Sequence, residues 1–158
     1  MTRYSPLQTL IHWLIVILFT ANYFVSDGMG RALRTKLDGG TPDQFAASIH
    51  PPIGIAILAL MVIRVALRLR MGAPDLPPTT SPTMAKAARA GHLAFYVLLF
   101  AIPISGMAAW GVGIREAGEV HEVLVNLTVI LVVGHAAMAL YHQLILKDGL
   151  MTRMSLRR

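Results

Sequence analysis

The chain has 158 residues, 55% of them hydrophobic and 14% charged, and it contains no cysteine. That balance excludes an ordinary soluble domain, and the missing thiols exclude disulfides, thiolate-bound iron–sulfur clusters and covalently attached c-type haem. The net charge of +6 is not a nucleic-acid footprint, because the basic residues fall in the segments between apolar spans, where they set membrane topology.

Four uncharged stretches, Tyr4 to Ser26, Gln44 to Ile63, Ala90 to Ile114 and Val123 to Leu146, hold 23, 20, 25 and 24 residues. About 20 apolar residues cross a bilayer as a helix, so each can span. The first spanning helix is expected over residues 5–26, with Pro6 in its first turn. It is longer than a signal-peptide core, has only Arg3 as a basic flank and shows no small-x-small cleavage pattern, so it is expected to be retained. Gly28 to Pro42 reads as an external loop, with Gly39-Gly40 as a flexible point. The second helix is expected over 43–70. Pro74, Pro77, Pro78 and Pro82 then make a stiff connection. The third helix is expected over 83–110, kinked at Pro103. Gly111-Val112-Gly113 opens a short turn, and the fourth helix runs over 118–146 until Lys147-Asp148-Gly149 ends it. Residues 1–158 thus read as one domain, an all-α membrane protein built as a four-transmembrane-helix bundle. Trp13 and Trp110 fall near opposite interfaces as aromatic anchors.

With the N-terminus in the cytoplasm, ten basic residues lie on the cytoplasmic side, against Arg31, Arg34, Lys36 and Arg115 outside. Six of the eight acids lie outside as well. The positive-inside rule therefore predicts cytoplasmic N and C termini.

His121 and His135 lie fourteen residues apart in the fourth helix, almost four turns and about 21 Å along one face. A histidine in lipid is costly unless it is occupied. Matching depths across helices gives an inner layer of His12, His92 and His135 and an outer layer of His50 and His121. Fourteen residues after His50 comes Arg64, which at inner-layer depth needs a buried anion such as a haem propionate. Fourteen after His92 comes Gly106, at outer-layer depth, where a glycine lets a flat porphyrin approach the backbone. Gly54 and Gly134 are placed to do likewise, or simply to permit close helix packing. A haem held between two imidazoles leaves no iron position for a substrate, so such centres pass single electrons. Met61, Met107 and Met138 read as packing residues rather than ligands.

The run from Tyr4 to His12-Trp13, the Met61-Val62-Ile63-Arg64 to Arg68 segment, Gly91-His92-Leu93 and the closing stretch from His121-Glu122 through Gly134-His135 to His142 and Lys147-Asp148 resemble the bacterial cytochrome b561 family. The resemblance covers nearly the whole chain. It implies an inner-membrane protein with two haem b groups. It further implies that His12 and His135 hold the cytoplasmic-side haem and that His50 and His121 hold the periplasmic-side haem; Arg68, one turn after Arg64, is with it a candidate for a propionate contact or for packing. It also implies electron exchange with ubiquinone, and a superoxide oxidase is among the family's members. His92, His142 and Lys86 are then candidates for a quinone headgroup site, since an imidazole can hydrogen-bond a quinone carbonyl and pass it a proton.

Three functions compete. The first is an enzyme that takes electrons from periplasmic superoxide, or another periplasmic donor, and reduces ubiquinone; Arg31, Arg34, Lys36 and Arg115 then guide the anion, or serve only as solvated loop charges. The second is a haem b anchor subunit that links a dehydrogenase or hydrogenase-type partner to the quinone pool. The third is a haem-free transporter whose histidines relay protons. The short external connections favour the first.

Overall fold

The computed structural model describes residues 3–42, 44–77 and 80–155. Asp43, Pro78, Arg157 and Arg158, which enter the charge and linker arguments, lie outside the described residues. Four long helices carry the membrane spans: α1 (Pro6–Val25), α3 (Gln44–Met71), α4 (Pro82–Met107) and α5 (Arg115–Tyr141). A short helix, α2 (Met29–Leu37), lies between the first two.

Local chemistry sets the helix ends. Ser5 and Gln8 form a reciprocal capping box, with Pro6 where its missing N–H costs nothing. Ser81 caps α4 by accepting from the Met84 N–H, again ahead of a proline. Both α4 and α5 widen at their last turn into π-helical segments, Ala108–Val112 and His142–Leu146. A residue in the left-handed conformation, Gly113 or Lys147, then ends each one.

The expected external loop is only partly a loop. Residues 29–37 are helical because Ala32, Leu33 and Leu37 form an apolar edge that lies inward. Ala32 is buried, while Leu33 reaches Gly118 and Leu37 reaches Gly113 at the start of α5. Gly39-Gly40 is a helix stop rather than a flexible point. Gly39 takes φ +79°, its N–H bonds the Lys36 carbonyl, and the Gly40 N–H bonds that of Thr35. Lys36 donates to the Trp110 carbonyl at 2.5 Å and sits over its ring, and Arg115 pairs with Asp38 at 3.7 Å. In this way α2 is pinned to the α4–α5 turn.

In the bundle α1 packs on α3, α3 on α4, and α4 on its hairpin partner α5. The buried core is Ile11, Ile15, Ile57 and Met61, flanked by Leu18, Phe19, Leu99 and Phe100, so it belongs to α1, α3 and α4. Among the described residues α5 contributes only Thr128 to the buried set, and it shares at most marginal contact with α1 or α3. The helix with the fourteen-residue histidine pair is thus the least packed one. Large apolar side chains face outward along all four spans, as lipid requires.

At the end of the bundle that carries the termini, residues 151–154 form a single 3-10 turn that runs beneath α1. The Met154 carbonyl accepts from Trp13 Nε1 at 2.9 Å, and the Arg153 carbonyl accepts from the Tyr4 N–H at 3.3 Å. The Arg153 guanidinium donates to the Asp75 carbonyl.

Candidate functional site

At the end of the bundle far from the termini, α3 and α5 bring His50 and His121 face to face. Their ring centroids are 6.0 Å apart and their planes are inclined by 76°. Two imidazoles on opposite sides of one metal ion, each bound through a nitrogen at about 2 Å, show such a separation. Each ring is held from behind. His50 donates through Nδ1 to the Asn22 carbonyl at 3.3 Å, and His121 donates through Nδ1 to the Ile102 carbonyl at 2.8 Å. A carbonyl only accepts, so Nδ1 carries the proton in both rings and Nε2 keeps a lone pair for a metal. The Asn22 carbonyl is available because α1 is ending, and the Ser26 N–H turns back to the Tyr23 carbonyl instead. The Ser105 hydroxyl donates to the same Ile102 carbonyl at 2.9 Å and lies 3.4 Å from His121 Nδ1.

Gly106 makes room for the His121 ring itself. A Cβ built there would lie 3.1 Å from both Cε1 and Nδ1 of His121. The space beside Gly54 and Gly134 is open for at least 4 Å. Asn22 Oδ1 is buried beside this site without a hydrogen-bond partner. Buried acceptors are rarely left so. The Gly106→Ala substitution is therefore expected to push the His121 ring off its axis at a cost of roughly 1–3 kcal/mol. If the His50 and His121 pair holds a metal group, pigment per polypeptide should fall in the variant.

At the end near the termini, His12, His92 and His135 converge from α1, α4 and α5. The rings of His92 and His135 are 6.0 Å apart, and Phe95 lies edge-on to His135 at 5.3 Å. His12 lies edge-on to Trp13 at 5.4 Å. Arg64 is within electrostatic reach of all three imidazoles and donates to the Gln8 carbonyl at 3.3 Å. Among the described residues no carboxylate pairs with Arg64. Three imidazoles and a guanidinium inside a membrane call for an anion. One turn on, Arg68 lines an apolar groove of about 650 Å³ between α3 and α4, with Val65, Leu69, Tyr96 and Phe100. His142 stands apart from these, buried in the last turn after α5, its Nδ1 2.5 Å from Asp148. Lys86 is exposed on the first turns of α4, at the same end.

Sequence reasoning missed the groups behind the ligands. Asn22 and Ser105 had one signal, a polar residue inside an otherwise apolar span. Asp148 had another, an acid six residues after a histidine.

Among the described residues no three His, Asp or Glu side chains, the His12, His92 and His135 group included, come close enough to hold a bare metal ion. Two imidazoles suffice only where the metal's other positions are already filled, as in a porphyrin. The unpacked faces of α5 leave the gaps such a group needs. The fold and site together define a b-type membrane cytochrome, a haem protein of the electron-transfer class.

The sequence comparisons agree. The family model "Prokaryotic cytochrome b561" matches residues 3–155. Cytochrome b562 of Cereibacter sphaeroides is 34% identical over 96% of this chain and 94% of its own length. A probable superoxide oxidase of Yersinia pestis is 31% identical over 96% and 95%. Cytochrome b561 homolog 2 of Escherichia coli is 34% identical over 96% and 90%. The chain belongs to the prokaryotic cytochrome b561 family, and it is a multi-pass protein of the bacterial inner membrane that transfers electrons through haem b.

Proposed function

We propose that the chain carries two b haems and passes electrons from periplasmic superoxide to ubiquinone, with both termini in the cytoplasm. The observation that carries this reading is the facing pair His50 and His121, each with Nδ1 engaged by a backbone carbonyl and Nε2 left for iron. They hold the periplasmic-side haem. His12 and His135 hold the cytoplasmic-side haem, with Arg64 and Arg68 toward its propionates. The haems, when bound, supply one-electron relays at two depths.

The chain's own groups do the remaining work. On the periplasmic face Lys36 and Arg115 are engaged with Trp110 and Asp38, which leaves Arg31 and Arg34 of α2 as the cations facing an approaching anion. On the cytoplasmic side His142, with His92 and Lys86 at the same end, receives the quinone headgroup and supplies its protons. The apolar groove between α3 and α4 offers a slot for an isoprenoid tail. The similarity to a relative named as a probable superoxide oxidase supports superoxide as the donor.

The test is direct. The purified protein should hold two b haems per polypeptide and reduce ubiquinone when superoxide is generated around it, without any soluble protein. A colourless preparation would sink the reading. Two haems with quinone reduction only in the presence of a copurified dehydrogenase would move the protein to the anchor-subunit class.

A further inference from the structure

The helix carrying His135 ends in an unusual way. Its last turn, His142–Leu146, is π-helical, and Lys147 follows in the left-handed conformation at φ 51°. A non-glycine residue there costs about 1–2 kcal/mol, and such strain gathers where a particular side-chain placement must be held. The placement held here is that of Asp148. Its Oδ2 lies 2.5 Å from His142 Nδ1, and its Oδ1 accepts from the Leu150 N–H at 3.0 Å. The two side chains are only 5% and 3% exposed. A straight helix puts positions six apart about 240° around its axis, on different faces. The widened turn and the reversal at Lys147 are what bring the acid back onto the ring.

We infer that Asp148 is a positioning residue for proton transfer at the quinone site, acting through His142. The inference rests on the reading that His142 faces the quinone headgroup. The carboxylate accepts the Nδ1–H, which fixes the tautomer and turns Nε2 toward the substrate. Conversion of quinone to quinol adds two electrons and two protons. The electrons come from the one-electron donor through the chain's redox groups. Each new O–H bond forms as an N–H bond at His142 Nε2 breaks, and the ring takes its next proton from the aqueous side. The Asp148 carboxylate balances the positive ring whenever both nitrogens carry hydrogen. It touches neither substrate nor haem.

The experiment uses the haem-loaded protein in detergent and runs the step in reverse, so that it does not depend on superoxide. A short-chain ubiquinol is mixed with the oxidised protein, and haem reduction is followed by absorbance. Asn at position 148 can cap Leu150 with its single oxygen, but it then turns an NH₂ toward the ring and reverses the tautomer. D148N is expected to slow haem reduction roughly ten- to hundredfold, with haem content and reduced spectrum unchanged. D148E is expected to recover part of the rate, which a mere loop cap would not require. H142Q should slow the reaction at least as much. If H142Q is slow and D148N runs at the parent rate, the role of Asp148 is overturned while the site reading stands. If H142Q itself runs at the parent rate, the quinone reading at His142 fails and the inference with it. Should D148N fail to assemble, D148E carries the test: it displaces the carboxylate by one methylene with charge retained, so an unchanged rate overturns the proposal.

Discussion

If the chain carries the two haems proposed, replacing His121 with alanine is expected to leave one haem b per polypeptide and to bring superoxide-driven quinone reduction down to background. The physical argument is local. His121 is one of two imidazoles facing across the gap between α3 and α5, and its ring is already committed to a ligand's tautomer by the Ile102 carbonyl. Removing it leaves the iron with His50 alone. It also strips the Ile102 carbonyl of one of its donors, with Ser105 remaining. The helix itself should persist, because α5 is held by its apolar length and by its packing on α4. Haem-to-protein ratio and a reduced-minus-oxidised spectrum check the result. Two haems in the variant would remove His121 from the ligand set.

The second large effect separates His12 from His92. Both lie at the depth of His135, and His92 is the nearer by ring contact, at 6.0 Å. The proposed assignment to His12 rests on how the helices pack. α4 and α5 are hairpin neighbours packed along one another, and packed helices run about 8–10 Å apart. The His92 and His135 rings show the same separation as the far-end pair, but helices packed that closely leave less space for a porphyrin plane between their backbones than an unpacked pair does. α1 and α5 lack such packing, as do α3 and α5, which carry the facing far-end pair. His12→Ala is therefore expected to cost the near haem, about one per chain, while His92→Ala keeps both and changes only the quinone reaction. Loss of haem in His92→Ala with retention in His12→Ala would assign the near iron to α4 instead.

Much of this was legible from hydropathy and spacing. The spans were visible because lipid demands long uninterrupted apolar runs, and Leu14 to Val25 or Val123 to Val133 admit no other reading. The depth layers followed from fourteen-residue spacing on a regular helix. What escaped was whatever depends on the backbone or on irregular turns. The Asn22 and Ile102 carbonyls that orient the two rings leave no mark on residue identity. Residues 29–37 were hidden as a helix because glycines and three cations mask a three-residue apolar edge. Gly106 was placed at the correct depth, but the ring it faces depends on how α4 and α5 are rotated. The meeting of His142 with Asp148 needs a π turn and a left-handed lysine, which no periodicity argument contains.

The turn at residues 151–154 also bears on how the cell builds the molecule. It joins the start of α1, through Tyr4 and Trp13, to the connection at Asp75, and it follows α5 in the chain. Those ties cannot form until the ribosome has passed the fourth span, so during synthesis the start of α1 is without them. A bulky fusion placed directly after residue 155 would strain the same ties and is expected to lower the protein's melting temperature.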